Sequence, residues 1–173
     1  MSDFVAMLIR TERPDDEDAI RRVTKEAFTG AVHSDGNEAS IIDELRNAGA
    51  LTISLVAEER QEGIVGHVAV SPVLFEGVQG RWYGLGPVAV RPDRQRRGIA
   101  ASLIEESLAM RRDLNADGCV VLGNPTYYAR FGFANDARAT FPGVAAGYFQ
   151  VLSFSGRRPS GAPGRAPPPR PRG

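Results

Sequence analysis

The run GLGPVAVRPDRQRRGIAAS, Gly84 to Ser102, constrains this chain more than any other stretch. An apolar, β-branched segment ends at Pro92, a cationic loop follows, and Gly98 opens an amphipathic helix. The pattern predicts a strand that feeds a helix N-terminus through a short basic turn. The first four N–H groups of a helix have no partner inside it, and the aligned peptide dipoles place partial positive charge there. A phosphate or pyrophosphate is the natural guest. Gly98 lets the backbone approach such a guest because it has no Cβ. Gly84-x-Gly86-x-x-Ala89 resembles a dinucleotide fingerprint, but that motif requires a helix directly after it. Here Pro87-Val88-Ala89-Val90 continues as strand and Pro92 follows. The glycines and proline instead mark a bulge or splay.

A length of 173 residues predicts one domain with a sizeable core. Ser155 to Gly173 holds five arginines, six prolines, four glycines and no acid, so it cannot build a core and reads as a disordered tail, 155–173, behind a domain spanning 1–154. Residues 1–154 carry 16 basic and 21 acidic groups. Arginine outnumbers lysine 20 to 1, which reads as coding bias and not as a nucleic-acid footprint. The single cysteine, Cys119, lies in an apolar run and reads as a buried small side chain. No apolar run approaches the about 18 residues that span a bilayer. The N-terminus lacks the pattern of a signal peptide. A cytoplasmic protein with no membrane partner is the expectation. His33, His67 and Cys119 show no ligand spacing, so no metal is expected.

Hydrophobic periodicity orders the elements. Residues 7–12 form an opening strand. A helix starts at Arg13-Pro14-Asp15-Asp16, with Ile20, Val23, Ala27 and Phe28 on one face. A second helix covers about 37–48, with Ile41, Ile42 and Leu45 inward. Strands at 52–57, 64–73 and 81–90 form an antiparallel meander. A third helix runs from Gly98 to about Leu114, with Leu103, Leu108 and Met110 near its buried side. A buried strand at 119–122 lies parallel to the strand before the helix, and 148–154 is a final strand. The sum is an α/β fold, a mixed sheet flanked by helices.

Gln95-Arg96-Arg97-Gly98-Ile99-Ala100 fits the Q/R-x-x-G-x-G/A signature of the GNAT superfamily of N-acetyltransferases. Val120 to Phe133 (VVLGNPTYYARFGF) resembles the strand, short helix and Y-x-x-x-G-F end of the same family's acetyl-CoA site. The wording is closest to the YhbS-like bacterial branch, and the resemblance covers about residues 8–154. It implies a mixed, mostly antiparallel sheet splayed at the acetyl-CoA site. It implies acetyl-CoA as acyl donor, with Val88, Ala89 and Val90 pairing with pantetheine. Pyrophosphate falls to the backbone from about Arg96 to Ala101 (Arg96, Arg97, Gly98, Ile99, Ala100, Ala101), within a motif that begins at Gln95. Arg96 and Arg97 add contacts to the 3′-phosphate end, and Ser102 adds a hydroxyl. Ala100 stands where many members have glycine. Tyr128, four residues before Gly132, takes the place of the general acid. Asn124 either hydrogen-bonds pantetheine or caps the short helix. Relatives of this branch usually end in a further strand, which the tail does not supply.

The general base is not legible. Many family members place a glutamate on the strand before the phosphate loop, and Arg81 to Val90 contains no acid. His67, His33 and Glu38 are candidates; a core histidine and a solvated first-turn acid are the plainer readings of His67 and Glu38. Trp82 and Phe75 either line an acceptor site, expected among 28–40 and 74–82, or pack ordinarily. The expected function is acetyl transfer to a primary amine, small-molecule or peptide, by a monomer or homodimer. The rival readings are an acyl-CoA-binding protein without turnover and a nucleic-acid-associated protein acting through its tail.

Overall fold

The computed structural model describes residues 7–30, 36–75, 80–136, 146–154 and 163–165. Seven strands form one sheet: β1 (Met7–Thr11), β2 (Ile53–Glu59), β3 (Gly63–Phe75), β4 (Trp82–Val90), β5 (Gly118–Leu122) and β6 (Phe149–Ser153) follow in that order, and β7 (Pro163–Arg165) pairs with β3. The helices are α1 (Glu17–Phe28), α2 (Glu38–Asn47), α3 (Ile99–Ala109) and the short α4 (Arg111–Leu114) and α5 (Pro125–Tyr128). β1 runs antiparallel to β2, β4 parallel to β5, and β5 antiparallel to β6. The sheet is the mixed, mostly antiparallel one that the sequence predicts. Residues group into two compact units, Met1–Ala69 with Pro87–Ala109, and Val70–Gly86 with Met110–Gly173.

In the first unit, β2 is buried along nearly its whole length, the polar Ser54 and Glu59 included alongside Ile53, Leu55, Val56 and Ala57. Ile20 of α1 and Ile42 of α2 pack on Val56 and Ala69, with Leu51 and Ile64 alongside. Each isoleucine is 1 % exposed, so each contributes roughly 2–3 kcal/mol of burial. The α2 face differs by one position from the expectation: Ala39, Ile42 and Leu45 are buried, and Ile41 is only half-buried. Gly66 is the point where α3 approaches β3. A Cβ there would lie 3.1 Å from both Ile99 and Leu103 side chains.

In the second unit, Trp82, Val120, Phe149 and Val151 form the core, with Val73 packed against it. Trp82 is 2 % exposed. It is therefore a packing residue, and the acceptor-lining alternative is corrected. Gly118 makes room for the indole: a Cβ there would sit 2.5 Å from Trp82 Cη2 and 2.7 Å from the Leu152 carbonyl oxygen. Gly118→Ala is expected to cost about 2–3 kcal/mol by overpacking, because backbone blocks one escape route. Urea unfolding should show a lower midpoint with an unchanged slope.

Two boundaries differ from the expectation. The predicted single helix 98–114 breaks at Met110, where the Asp113 N–H bonds the Met110 carbonyl in a tighter turn. Asn115 then ends α4 at φ 53°, a conformation asparagine tolerates. Within the tail, Pro163–Arg165 pairs antiparallel with Val73–Phe75, a strand that composition does not announce. Among the described residues no helix is long and apolar enough to cross a membrane.

Candidate active site

The first unit carries the end of β4, the basic loop and α3. The β4–β5 ladder runs from Trp82–Gly118 to Leu85–Val121 and goes no further among the described residues. Gly86 follows at φ 131°, a region closed to most side chains. Pairing therefore stops just before Pro87-Val88-Ala89-Val90, as the glycine–proline pattern predicts. Ala89 and Val90 bury their side chains, while Val88 is half-buried.

After a 3₁₀ turn at Pro92–Arg94 the chain reaches Gln95. The four arginines of this loop divide into two kinds. Arg91 pairs with Asp93 at 2.6 Å and Glu62 at 3.2 Å. Arg94 pairs with Glu59 at 2.6 Å and Asp93 at 3.0 Å. Glu59 is 4 % exposed, so this last pair anchors the loop onto β2. Arg96 and Arg97 are exposed and make no ion pair among the described residues. Two arginines thus build the loop and two stay unengaged among the described residues.

Gln95 donates its side-chain amide to the Val90 carbonyl at 3.0 Å, so it braces the loop. Arg96 sits at φ 65°, strained for a non-glycine residue, and Gly98 at φ 82°. Strain of this kind costs about 1–3 kcal/mol and concentrates at functional sites. The first α3 bond runs from the Ser102 N–H to the Gly98 carbonyl at 3.0 Å. The backbone N–H groups of Arg96, Arg97, Gly98, Ile99, Ala100 and Ala101 donate to no protein group among the described residues. A Cβ on Gly98 would meet nothing within 4 Å, so the space beside it is open. The result is a cationic row of unengaged donors at a helix start, suited to a phosphate or pyrophosphate.

The second unit carries Tyr128. Asn124 accepts the Thr126 N–H on its side-chain oxygen at 2.9 Å and caps α5. Of the two sequence readings for Asn124, the cap is realised. The Tyr128 N–H returns to the Asn124 carbonyl at 3.0 Å. Its ring packs edge-on against Tyr127 and Phe133, with centroids 5.1 and 5.9 Å away. The Tyr128 hydroxyl makes no hydrogen bond among the described residues. Burial, then the nearby Tyr127 and Cys119, push its phenol up to about 12. The proton is therefore in place throughout the neutral range. Burial also pushes the Cys119 thiol up to about 12, which makes it inert packing, as read.

Of the candidate bases, His33 lies outside the described residues. Glu38 is half-buried in the first turn of α2. His67 is fully buried and 2.7 Å from Ser54 Oγ through Nε2. Ser54 also bonds Glu12, and Arg46 holds Glu12 at 2.9 and 3.1 Å. Burial would raise the Glu12 carboxyl, but hydrogen bonds from Arg46 and Ser54 outweigh it and hold it below the usual range. An ionised Glu12 only accepts, so Ser54 O–H donates to it and Oγ accepts from His67 Nε2–H. Burial pushes the imidazole down to about 4. His67 is a core histidine in a structural relay. Sequence reading missed its partners, because Glu12, Arg46 and Ser54 have no local pattern in common. The Phe75 side chain and residues 31–35 and 76–79, within the expected acceptor region, lie outside the described residues.

The acetyltransferase (GNAT) domain family matches residues 51–135. The chain is 36 % identical over 149 residues to the N-acetyltransferase YhbS of Escherichia coli, covering 84 % of this chain and 86 % of that one. Its fold is similar to that of a GNAT family acetyltransferase from Brucella melitensis in complex with acetyl-CoA, with TM-score 0.81 and 47 % identity over 94 % of this chain and 97 % of that one. It is equally similar to Escherichia coli YhbS in complex with CoA, with TM-score 0.81 and 30 % identity over 96 % and 93 % of the two chains. On this shared sequence and fold, the chain belongs to the GNAT family of acetyltransferases.

Proposed function

We propose that this acetyltransferase takes acetyl-CoA as its acyl donor and passes the acetyl group to a primary amine by direct attack, with Tyr128 as general acid. The observation that carries the reading is the row of unengaged N–H groups from Arg96 to Ala101 beside open space at Gly98. Those donors match the pyrophosphate of CoA. The unpaired Arg96 and Arg97 suit its 3′-phosphate, and Ser102 offers a hydroxyl. The acetyl-CoA and CoA held by the Brucella and Escherichia coli relatives support the same donor.

The chemistry follows from the groups available. The neutral amine attacks the thioester carbonyl carbon. The backbone of Val88, Ala89 and Val90 pairs with pantetheine, and an N–H of this stretch polarises the carbonyl oxygen. As the C–S bond breaks, Tyr128 gives its phenolic proton to the departing sulfur. The ammonium formed on the product loses its proton to solvent, and Tyr128 is reprotonated. Holding two substrates in register supplies most of the acceleration. No buried base is required when the amine arrives neutral, which agrees with the enclosure of His67.

The test is release of free CoA thiol from acetyl-CoA in the presence of a panel of primary amines: amino acids, polyamines, aminoglycosides and peptide N-termini. Amine-dependent release, with the acetylated amine identified by mass, supports the proposal. Tight acetyl-CoA binding without release for any amine would point to an acyl-CoA-binding protein without turnover.

A further inference from the structure

We infer that Gly123 is a positioning residue for the acetyl transfer, because only a bare backbone there leaves room for the edge of the Tyr128 ring. This inference depends on the general-acid role proposed for Tyr128. A Cβ built on Gly123 would stand 2.9 Å from Tyr128 Cδ2, 3.2 Å from Cζ, and nearer still to Cε2. Three atoms along one side of the ring lie within reach of a single added carbon. The Cδ2–Cε2–Cζ edge of the ring lies against the glycine backbone.

The Gly123 backbone itself is fixed. The Gly123 N–H donates to the Tyr148 carbonyl at 2.9 Å, just before β6. On its other side, Asn124 caps α5 through the Thr126 N–H. The ring is held from above by the same helix, through the Tyr128 N–H on the Asn124 carbonyl. Tyr127, Phe131 and Phe133 close its remaining edges, with centroids 5.1, 6.2 and 5.9 Å away. The hydroxyl is the one polar atom of the side chain, and no hydrogen bond among the described residues sets its position. Packing alone aims it. Glycine at 123 is thus required by the ring and not by the backbone, since Gly123 is absent from the residues of positive φ.

A methyl group at 123 must push the ring aside or drive β5 and α5 apart. The second route is resisted by the Tyr148 bond and the Asn124 cap. The phenol moves instead, and a general acid displaced by about 1 Å loses most of its effect. Acetyl-CoA binding should be spared, because the phosphate loop lies on other elements.

The experiment is a double-mutant cycle of Gly123→Ala and Tyr128→Phe, reading kcat, KM for acetyl-CoA and calorimetric affinity. Gly123→Ala is expected to lower kcat at least tenfold with KM and affinity within twofold of wild type. In the Tyr128→Phe background the same substitution should leave kcat within twofold, since there is no acid left to misplace. An equal loss in both backgrounds would make Gly123 a merely structural residue and overturn the inference. A wild-type kcat in Gly123→Ala alone would do the same. A wild-type kcat in Tyr128→Phe would instead overturn the general-acid reading. Should Gly123→Ala fail to fold, the wild-type protein still decides: the Gly123 Hα protons must show Overhauser contacts to Tyr128 ring protons. Their absence would contradict the packed geometry.

Discussion

Replacing Tyr128 with phenylalanine is expected to lower kcat about 100-fold or more while leaving acetyl-CoA affinity near wild type. The ring keeps its packing on Gly123 and its edge contacts with Tyr127 and Phe133, so only the hydroxyl is lost. A positioned general acid typically supplies about 10²–10⁴ in rate. The pH profile gives a second readout. With its phenol pushed up to about 12, Tyr128 keeps its proton across the assay range. The wild-type basic limb should therefore stay flat to about pH 10, in contrast to the model-peptide tyrosine value near 10. A kcat unchanged by the substitution would remove Tyr128 from the chemistry.

Acid should destabilise the protein through His67 before it reaches most carboxylates. The folded-state pKa of about 4 lies below the ordinary 6.5. Between those values the unfolded chain binds the proton and the folded chain does not. Stability is therefore fully present above pH 6.5 and falls as the pH drops towards 4. A difference of this size corresponds to roughly 3 kcal/mol. Glu12 and Asp16 are held below the usual carboxylate range, so their contributions survive until lower pH and are lost as pH falls through their own depressed values. His67→Gln keeps an N–H donor for Ser54 and cannot titrate. Urea unfolding at pH 7.5, 6 and 4.5 should show the wild type losing about 2.5 kcal/mol more than this variant by pH 4.5. Parallel losses would mean that His67 is not the buried neutral group described.

The strand, loop and helix leading into α3 were legible because their signal is local: β-branched run, proline, arginines, glycine and helix lie within Gly84 to Ser102. The Y-x-x-x-G-F segment was legible for the same reason. What escaped the sequence depends on partners far along the chain. Arg91 and Arg94 look like Arg96 and Arg97 until Glu62 and Glu59 are brought beside them. Gln95 belongs to the family signature, yet its amide serves the Val90 carbonyl. Trp82 could be read as acceptor lining or as core, and only the glycine opposite it at 118 decides for core. Gly123 carried a weak signal, a small residue before an Asn-Pro helix start and five before the tyrosine. Nothing in that spacing reveals a ring edge packed against it. β7 was missed because a three-residue pairing with β3 has no compositional signature.

The central claim is that the loop at the start of α3 binds the phosphates of acetyl-CoA, and calorimetric titration tests it most directly. Acetyl-CoA is titrated into wild type, Gly98→Glu and Gly98→Ala, each checked for an intact melting transition. Both variants carry the same backbone strain at φ 82°, and neither Cβ meets an obstacle. Only glutamate adds bulk and negative charge beside the unengaged N–H groups. The account predicts micromolar binding by wild type, binding retained within about tenfold by Gly98→Ala, and loss of binding in Gly98→Glu. No binding to folded wild type, or equal binding by wild type and Gly98→Glu, would contradict it.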